Sequence, residues 1–426
     1  MSARPCASCF TPPLPAWFRR SCSPARARHP RRRSRGVRPL VCAFGDAGHA
    51  FPAIALARAL ARRGHEVTVE TWERWRETVE AEGLSFLPAE EYSVYPPPPP
   101  GSEISAGSAA RMLLPMMREQ RFDVVVSDIL TLAPALAAEA AGLRRATLIP
   151  HVLPWAAPGM PFYSFGAQPP RTPVGRALWR RALPVLEGGY RRGRDELNES
   201  RAEVGLAPTE RLHGAISREL VLVATLPQLE YARRWPHPVR VTGAMAFELP
   251  HPDVELPDGD EPLVLVAPST AQDPDGRLVR IALEALADEP VRVLATTNRR
   301  GEPLPAAPAN AMVVDWLSYS QALGVADLAV CHGGHGTVVR ALSAGVPLVC
   351  CPAGGDMAEN GARVAWTGAG LTLPWRFTRP GPLRAVVRRV LGEPGYQASA
   401  ERISAWAREH NGAERGAQFV ERMAAR

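Results

Sequence analysis

The sequence predicts an α/β protein in which one plan is built twice. Short apolar runs alternate with helical patterns in both halves of the chain. Each half also holds a strand that ends in a glycine–histidine turn and opens a helix. The length, 426 residues, suits two or three domains of ordinary size.

The first half begins with an apolar strand from Pro39 to Phe44, followed by the turn Gly45-Asp46-Ala47-Gly48-His49. Phe51 to Arg63 reads as a helix that Gly64-His65 closes, and Glu66 to Val69 is a second strand. This is a βαβ unit, which sets a helix N-terminus beside the strand ends where ligands of open α/β sheets bind. Phe122 to Val126 is a strand ending at Ser127-Asp128; a helix over about 132–141 and a strand from Arg145 to Pro150 follow. Five consecutive prolines, Pro96 to Pro100, mark 90–110 as a loop, and Pro, Gly and aromatic residues mark 151–175 as another. Arg176 to Glu203 reads as a surface helix and Leu220 to Ala224 as a strand. The second half starts at the strand Leu263 to Ala267 and continues with a helix over about 276–286. Strands follow at Val291–Ala295, Met312–Val314 and Leu328–Cys331, then a glycine turn, a helix and the strand Leu348–Cys351. The expected division is a leader at 1–36, a first domain at 37–235, a linker at 236–261, a second domain at 262–380 and helices at 381–426.

Apolar residues make up 46% of the chain, enough for sizeable cores. The formal charge of +7 belongs to the leader: ten Arg and no acidic residue lie in 1–38, against 40 Arg and 43 acidic residues elsewhere. A basic leader is not a basic folded face, so no nucleic-acid partner is expected. Of the seven cysteines, Cys42, Cys331, Cys350 and Cys351 sit in apolar strands, as expected for reduced thiols in a cytoplasmic protein. No run of 18 apolar residues exists, so no stable membrane insertion is expected. Residues 1–36 lack the apolar core of a signal peptide and read as a disordered leader. Asp253, Glu255, Asp258 and Asp260 line a polar linker rather than a converging ligand set, so neither metal nor cofactor is expected. The sequence leaves the oligomeric state open.

The turn in the second half reads Cys331-His332-Gly333-Gly334-His335-Gly336-Thr337. Glycines admit a ligand close to the backbone, and free N–H groups at a helix start favour phosphate oxygens. Alone, such a turn suits a nucleotide or a tight structural turn equally. An ordered series surrounds it: Trp316, His332-Gly333-Gly334, Gly336-Thr337, Ala341-Leu342, Gly345-Val346-Pro347, Pro352, Asp356 and Asn360. That series resembles the donor-binding signature of the nucleotide-sugar-dependent glycosyltransferases of the GT-B type. The family includes bacterial macrolide and aglycone enzymes and plant and animal small-molecule enzymes.

The resemblance implies two Rossmann-like domains facing across a cleft, with C-terminal helices packing back toward the first, and a UDP- or TDP-sugar as donor. It implies that Trp316 lies near the nucleobase with the backbone of Leu317, and that His332 contacts the diphosphate. Gly334, Gly336 and Thr337 would close on the phosphates, and Asp356 would accept hydrogen bonds from sugar hydroxyls. Ser269 and Thr270 would present further donors. Two positions depart from the family. Arg340 stands where many members have an acid that holds the ribose, and Met357 stands where glutamine often follows the aspartate. His335 is expected to face phosphate or solvent.

Transfer of a sugar to an alcohol requires removal of the hydroxyl proton, a task suited to histidine. His49 follows the first strand and Asp128 ends another, so parallel strand ends bring them together across 79 positions. The Gly48-His49-x-x-Pro52 pattern resembles the family's catalytic motif, with Asp128 as the residue that supports the histidine. The resemblance implies direct displacement with inversion. Loops at about 88–118 and 151–175 are expected to hold a small apolar acceptor through Tyr92, Met112, Met116, Trp155, Phe162 and Tyr163. Three other readings stay open: a glycolipid or envelope glycosyltransferase; a nucleotide-sugar epimerase or hydrolytic enzyme on this fold, which would place acids around the sugar where His49 with Asp128 favours transfer; and a catalytically silent sugar-nucleotide-binding auxiliary protein. Arg340 and Met357 favour the silent protein; an intact His49–Asp128 pair opposes it.

Overall fold

Runs rich in Val, Leu and Ala, too short for helices and apolar at every position, form strands buried on both faces. A computed structural model describes residues 36–91, 105–251, 254–269, 273, 275–298 and 306–426. The first half contains β1 (Pro39–Cys42), α1 (Ala47–Arg62), β2 (Thr68–Trp72), α2 (Arg76–Ala81), β3 (Ser85–Ala89), α3 (Ala106–Glu119) and β4 (Val124–Asp128). It continues with α4 (Leu132–Ala140), β5 (Arg144–Ile149), α5 (Pro173–Glu203), β6 (Leu220–Val223) and β7 (Val239–Val241). These strands form one parallel sheet in the order β3-β2-β1-β4-β5-β6-β7.

The second half contains β8 (Leu263–Ala267), α6 (Arg277–Leu286), β9 (Arg292–Thr296), β10 (Ala311–Val314), α7 (Tyr319–Leu323) and β11 (Leu328–Cys331). Then come α8 (His335–Ala344), β12 (Leu348–Cys350), α9 (Met357–Thr367) and β13 (Gly370–Thr372). Their sheet is also parallel, in the order β10-β9-β8-β11-β12-β13. The strand order reverses between β1 and β4 in one sheet and between β8 and β11 in the other. A crevice opens at such a reversal, outside the carboxyl ends of the strands. Residues that follow these four strands are therefore the ones presented to ligands.

The chain ends in α10 (Pro380–Gly392), α11 (Pro394–Glu409) and α12 (Gly412–Ala424). The last helix returns to the first sheet: Ala417, Val420 and Met423 join Ile54, Leu56 and Leu60 in one core. Glu421 accepts two hydrogen bonds from Arg63, both 2.7 Å, and pairs with His65 Nε2 at 2.9 Å. Residues Gly36–Tyr231 and Trp235–Arg426 form one compact unit.

Three local expectations need correction. The helix α1 starts at Ala47, because Asp46 caps it by accepting from its N–H at 2.9 Å, so His49 lies in the first helical turn. Residues 106–119 form α3 rather than loop; Ser105 caps Ser108 N at 3.0 Å and the helix buries Ala110 and Met117. The expected linker supplies β7, whose Val239 and Val241 pair with Val221 and Val223. No helix among the described residues is long and apolar enough to cross a membrane. Cys42, Cys331, Cys350 and Cys351 are buried and free.

Candidate active site

In the first crevice, His49 stands in the opening turn of α1 and Asp128 is the last residue of β4. Cys42 of β1 is in register with Ser127 of β4, so the two strands finish together. His49 Nδ1 lies 2.8 Å from Asp128 Oδ2, and the carboxylate's other oxygen accepts from Leu130 N at 2.8 Å. The Asp128 side chain is fully buried, while that of His49 keeps 17% of its surface open. With Nδ1–H donated to Asp128, the lone pair of Nε2 is left for a substrate proton. Burial pushes the imidazole pKa down, but the charge and hydrogen bond of Asp128, aided by Asp46 and Asp356, lift it above the ordinary histidine value.

In the second crevice, His332 follows β11 and α8 opens at His335. Gly333 has φ +84°, and a Cβ there would stand 2.9 Å from Met357 O. The His332 ring occupies the space a Cβ on Gly334 would need. By contrast, nothing lies within 4 Å of a Cβ placed on Gly336, which is exposed at the helix start. The protein's own packing does not demand a glycine there, and the helix start is open to solvent. Thr337 is half-buried in the same turn, and Ser269 is buried just beyond β8. His332 Nδ1 faces Ala267 O at 3.2 Å, and burial lowers its pKa, so it is neutral and donates from Nδ1.

The two crevices meet at Asp356. Its Oδ2 accepts from Asn360 Nδ2 at 3.1 Å and from Tyr163 OH at 3.4 Å; Asn360 Nδ2 also bonds Gly333 O at 3.0 Å. Tyr163 comes from the loop after β5 and stacks on His151 at 5.4 Å. His151 in turn lies 6.2 Å from the His49 ring. Its Nδ1 bonds Val152 O at 2.7 Å, and burial lowers its pKa. A buried ionic group fixes this meeting. Arg363 on α9 bonds Glu359 at 2.8 Å and Leu229 O at 2.7 Å, and lies 3.3 Å from Glu230, which accepts from Leu153 N at 2.6 Å. Gly166 N donates to Glu359 at 3.3 Å, tying the same loop to α9.

His49, Asp128, Tyr163 and Asp356 are thus brought together, joined by His151, which the sequence reading missed. A histidine just past the strand next to β4 was the available signal. Trp316 lies apart from these and donates its Nε1–H to His251, whose ring is 5.2 Å away. Leu317 is buried with Cys331 and Val338. Phe162 is buried against Trp179, and Trp155 stacks on His213 at 5.1 Å. Met116 is half-buried in the core beneath α3, while Met112 is exposed on the same helix. Tyr92 and Thr270 lie outside the described residues. His335 turns inward rather than to solvent: its Nε2 points to Ala224 O at 3.4 Å, and burial and His151 bring its pKa to about 4. Arg340 turns away to Phe247 O and lies over the Tyr319 ring.

Over 406 residues the chain is 30% identical to the 4′-demethylrebeccamycin synthase of Lentzea aerocolonigenes, covering 86% of this chain and 95% of the relative. The chain belongs to the nucleotide-sugar-dependent glycosyltransferases of the GT-B fold. This glycosyltransferase is an enzyme that moves a sugar from a nucleotide-sugar donor. Family models agree for both halves: Glycosyltransferase Family 4 matches residues 48–187, and the erythromycin biosynthesis protein CIII-like C-terminal domain matches 280–414. The O-mycaminosyltylonolide 6-deoxyallosyltransferase of Streptomyces fradiae is 27% identical over 422 residues, covering 91% of this chain and 98% of its own. Among solved structures, a calicheamicin glycosyltransferase matches the fold with TM-score 0.72 and 22% identity, covering 92% of this chain and 99% of that one. The glycosyltransferase VinC, solved in complex with DTDP, matches with TM-score 0.67 and 22% identity over 91% of this chain and all of that one.

Proposed function

We propose that this glycosyltransferase moves a sugar from a uridine or thymidine diphosphate donor to a hydroxyl of a small, largely apolar, natural-product-like acceptor, with inversion. His49 is the general base and Asp128 orients it and stabilises the imidazolium. The observation that carries this reading is the 2.8 Å contact between His49 Nδ1 and the fully buried Asp128. The acceptor O–H proton passes to His49 Nε2 as its oxygen attacks the anomeric carbon. The bond from that carbon to the diphosphate breaks on the opposite face. No carboxylate nucleophile is needed, and the start of α8 takes the leaving charge without a metal.

Residues 37–235 hold the acceptor and 262–380 the donor in this reading. Trp316 and the Leu317 backbone take the base; Ser269, Thr270, His332, Gly334, Gly336 and Thr337 take the diphosphate; Asp356 takes sugar hydroxyls. Arg340 cannot accept a hydrogen bond from a ribose diol. That favours the deoxyribose of a thymidine donor, as does VinC's bound DTDP. Names of relatives such as the rebeccamycin and tylonolide enzymes support the acceptor class. Four buried free thiols support a cytoplasmic setting.

The test incubates the full chain and His49→Ala with thymidine and uridine sugars and a mixture of phenolic and polyketide acceptors. Product mass and anomeric configuration are then read. An inverted glycoside formed only by the native enzyme is the expected result. A retained configuration, or equal turnover by the variant, overturns the mechanism.

A further inference from the structure

The first two-thirds of α5 carries a surface that the transfer reaction does not use. The helix spans 31 residues, yet its only buried residues are Leu197 and Arg201, near its end. Its inner face rests on aromatic rings: Trp179 lies 5.1 Å from Phe162, and Tyr190 4.6 Å from His213. Its outer face bears Val174, Leu178 and Val185, exposed to 69%, 63% and 82%, with Phe165 beside the helix start at 66%. At 3.6 residues per turn, the three helical positions fall within about 40° of one another. They form a stripe instead of a scatter, and half of the large exposed apolar side chains among the described residues lie on this one segment.

The charge around the stripe has one sign. Residues 165–194 contain seven arginines and a single acid, Glu187. Arg191 reaches Glu187 at 4.0 Å, and Arg194 pairs with Asp195 and Glu210. Among the described residues, Arg171, Arg176, Arg180, Arg181 and Arg192 make no ion pair within 4.0 Å and are exposed. At about 100° per residue, Arg181 and Arg192 fall on the same side as the apolar stripe, Arg180 and Arg191 lie roughly 120–140° round the helix from its centre, and Arg176 lies on the opposite side, where it reaches Pro170 O.

We propose that this face of α5 is a docking surface for an anionic lipid leaflet, on which the enzyme lies without crossing it. Guanidinium groups on long stems reach phosphates while the apolar stripe enters the acyl boundary beneath them. The stripe from Val174 to Arg192 is about 27 Å long on the back of a single convex helix, which suits a flat surface better than a grooved partner. Charge excludes two other occupants. The leader, residues 1–35, has nine arginines and no acid, so it carries the same sign as the face. A second copy seated by symmetry would set arginine against arginine. Trp179 touches Phe162 and Phe165 of the loop that also carries Tyr163. Docking therefore holds that loop behind the helix, within one helix diameter, about 10 Å, of the leaflet where an apolar acceptor would partition; this last consequence alone rests on the function proposed above.

The test sediments the full chain with vesicles of phosphatidylcholine containing one-third phosphatidylglycerol, and with phosphatidylcholine alone. Expected is salt-sensitive binding to the anionic vesicles only. Arg181→Gln/Arg192→Gln should weaken it roughly thirty-fold, at about 1 kcal/mol for each arginine. Leu178→Glu/Val185→Glu should also weaken it, and both variants should keep full nucleotide binding, since the altered side chains are exposed. No binding to anionic vesicles overturns the proposal. So does binding that neither variant weakens, which would assign it to the leader. Loss, in the arginine variant, of an acidic protein partner or of a dimer seen by light scattering, with no lipid binding by the native chain, assigns the face to that partner instead.

Discussion

Two histidines occupy equivalent places in the two halves of the molecule and are held in opposite states. His49 and His332 each sit past a strand at the reversal of a parallel sheet, and each turns Nδ1 toward an oxygen. For His49 that oxygen is the Asp128 carboxylate; for His332 it is the Ala267 carbonyl. Burial pushes both imidazoles down. The carboxylate overcomes it and lifts His49, whereas the neutral carbonyl does not and His332 stays low. The lesson is that the fold supplies the position, and one partner atom chooses between a proton acceptor and a neutral donor.

The largest effect should come from breaking the first of these sites. His49→Gln is expected to lower kcat by about 100- to 10,000-fold, the usual contribution of a general base, with nucleotide affinity unchanged. Asp128→Asn removes the group that lifts His49, leaving burial to dominate. In the proposed mechanism the working base is neutral imidazole, so native kcat/KM should fall as pH drops through a value above the ordinary 6.5. In Asp128→Asn that acid limb should move to lower pH while the plateau drops. A pH–rate profile in which the limb stays in place would show that Asp128 does not set the proton affinity.

Which parts were legible in the sequence follows the same division. The strands β1, β4, β8 and β11 are apolar runs closed by turns or polar residues, and their ends place His49, Asp128, Ser269 and His332 by local pattern alone. The helix α3 was hidden by the proline run before it and by Pro115 within it. The strand β7 has three residues and exists because β6 pairs with it. His151, Tyr163 on Asp356, and the turning of Arg340 to Phe247 depend on how distant segments meet, which no local periodicity records. His335 shows the same limit: the motif leaves it to face phosphate or solvent, and only the packing of a distant segment turns its Nε2 to Ala224 O.

The second site should give a smaller effect with a different signature. His332 Nδ1–H is committed to Ala267, so Nε2 carries a lone pair that would face a bound diphosphate with the wrong polarity. Nε2 can donate only after gaining a proton. Asp356 and Asp273 already favour the cation, but burial outweighs them in the free enzyme. A dianionic ligand adds to their side and should raise the pKa, so donor binding takes up a proton. Affinity for thymidine diphosphate should then weaken as pH rises through the pKa of the complex, by no more than about ten-fold per pH unit. His332→Gln should bind roughly 10- to 100-fold more weakly, as for loss of a hydrogen bond to a charged group, and should lose this pH dependence while keeping the acid limb set by His49. Calorimetry in buffers of different ionisation enthalpy reads the proton directly. Equal apparent enthalpies across the buffers would mean that His332 binds the diphosphate as a neutral ring, or not at all.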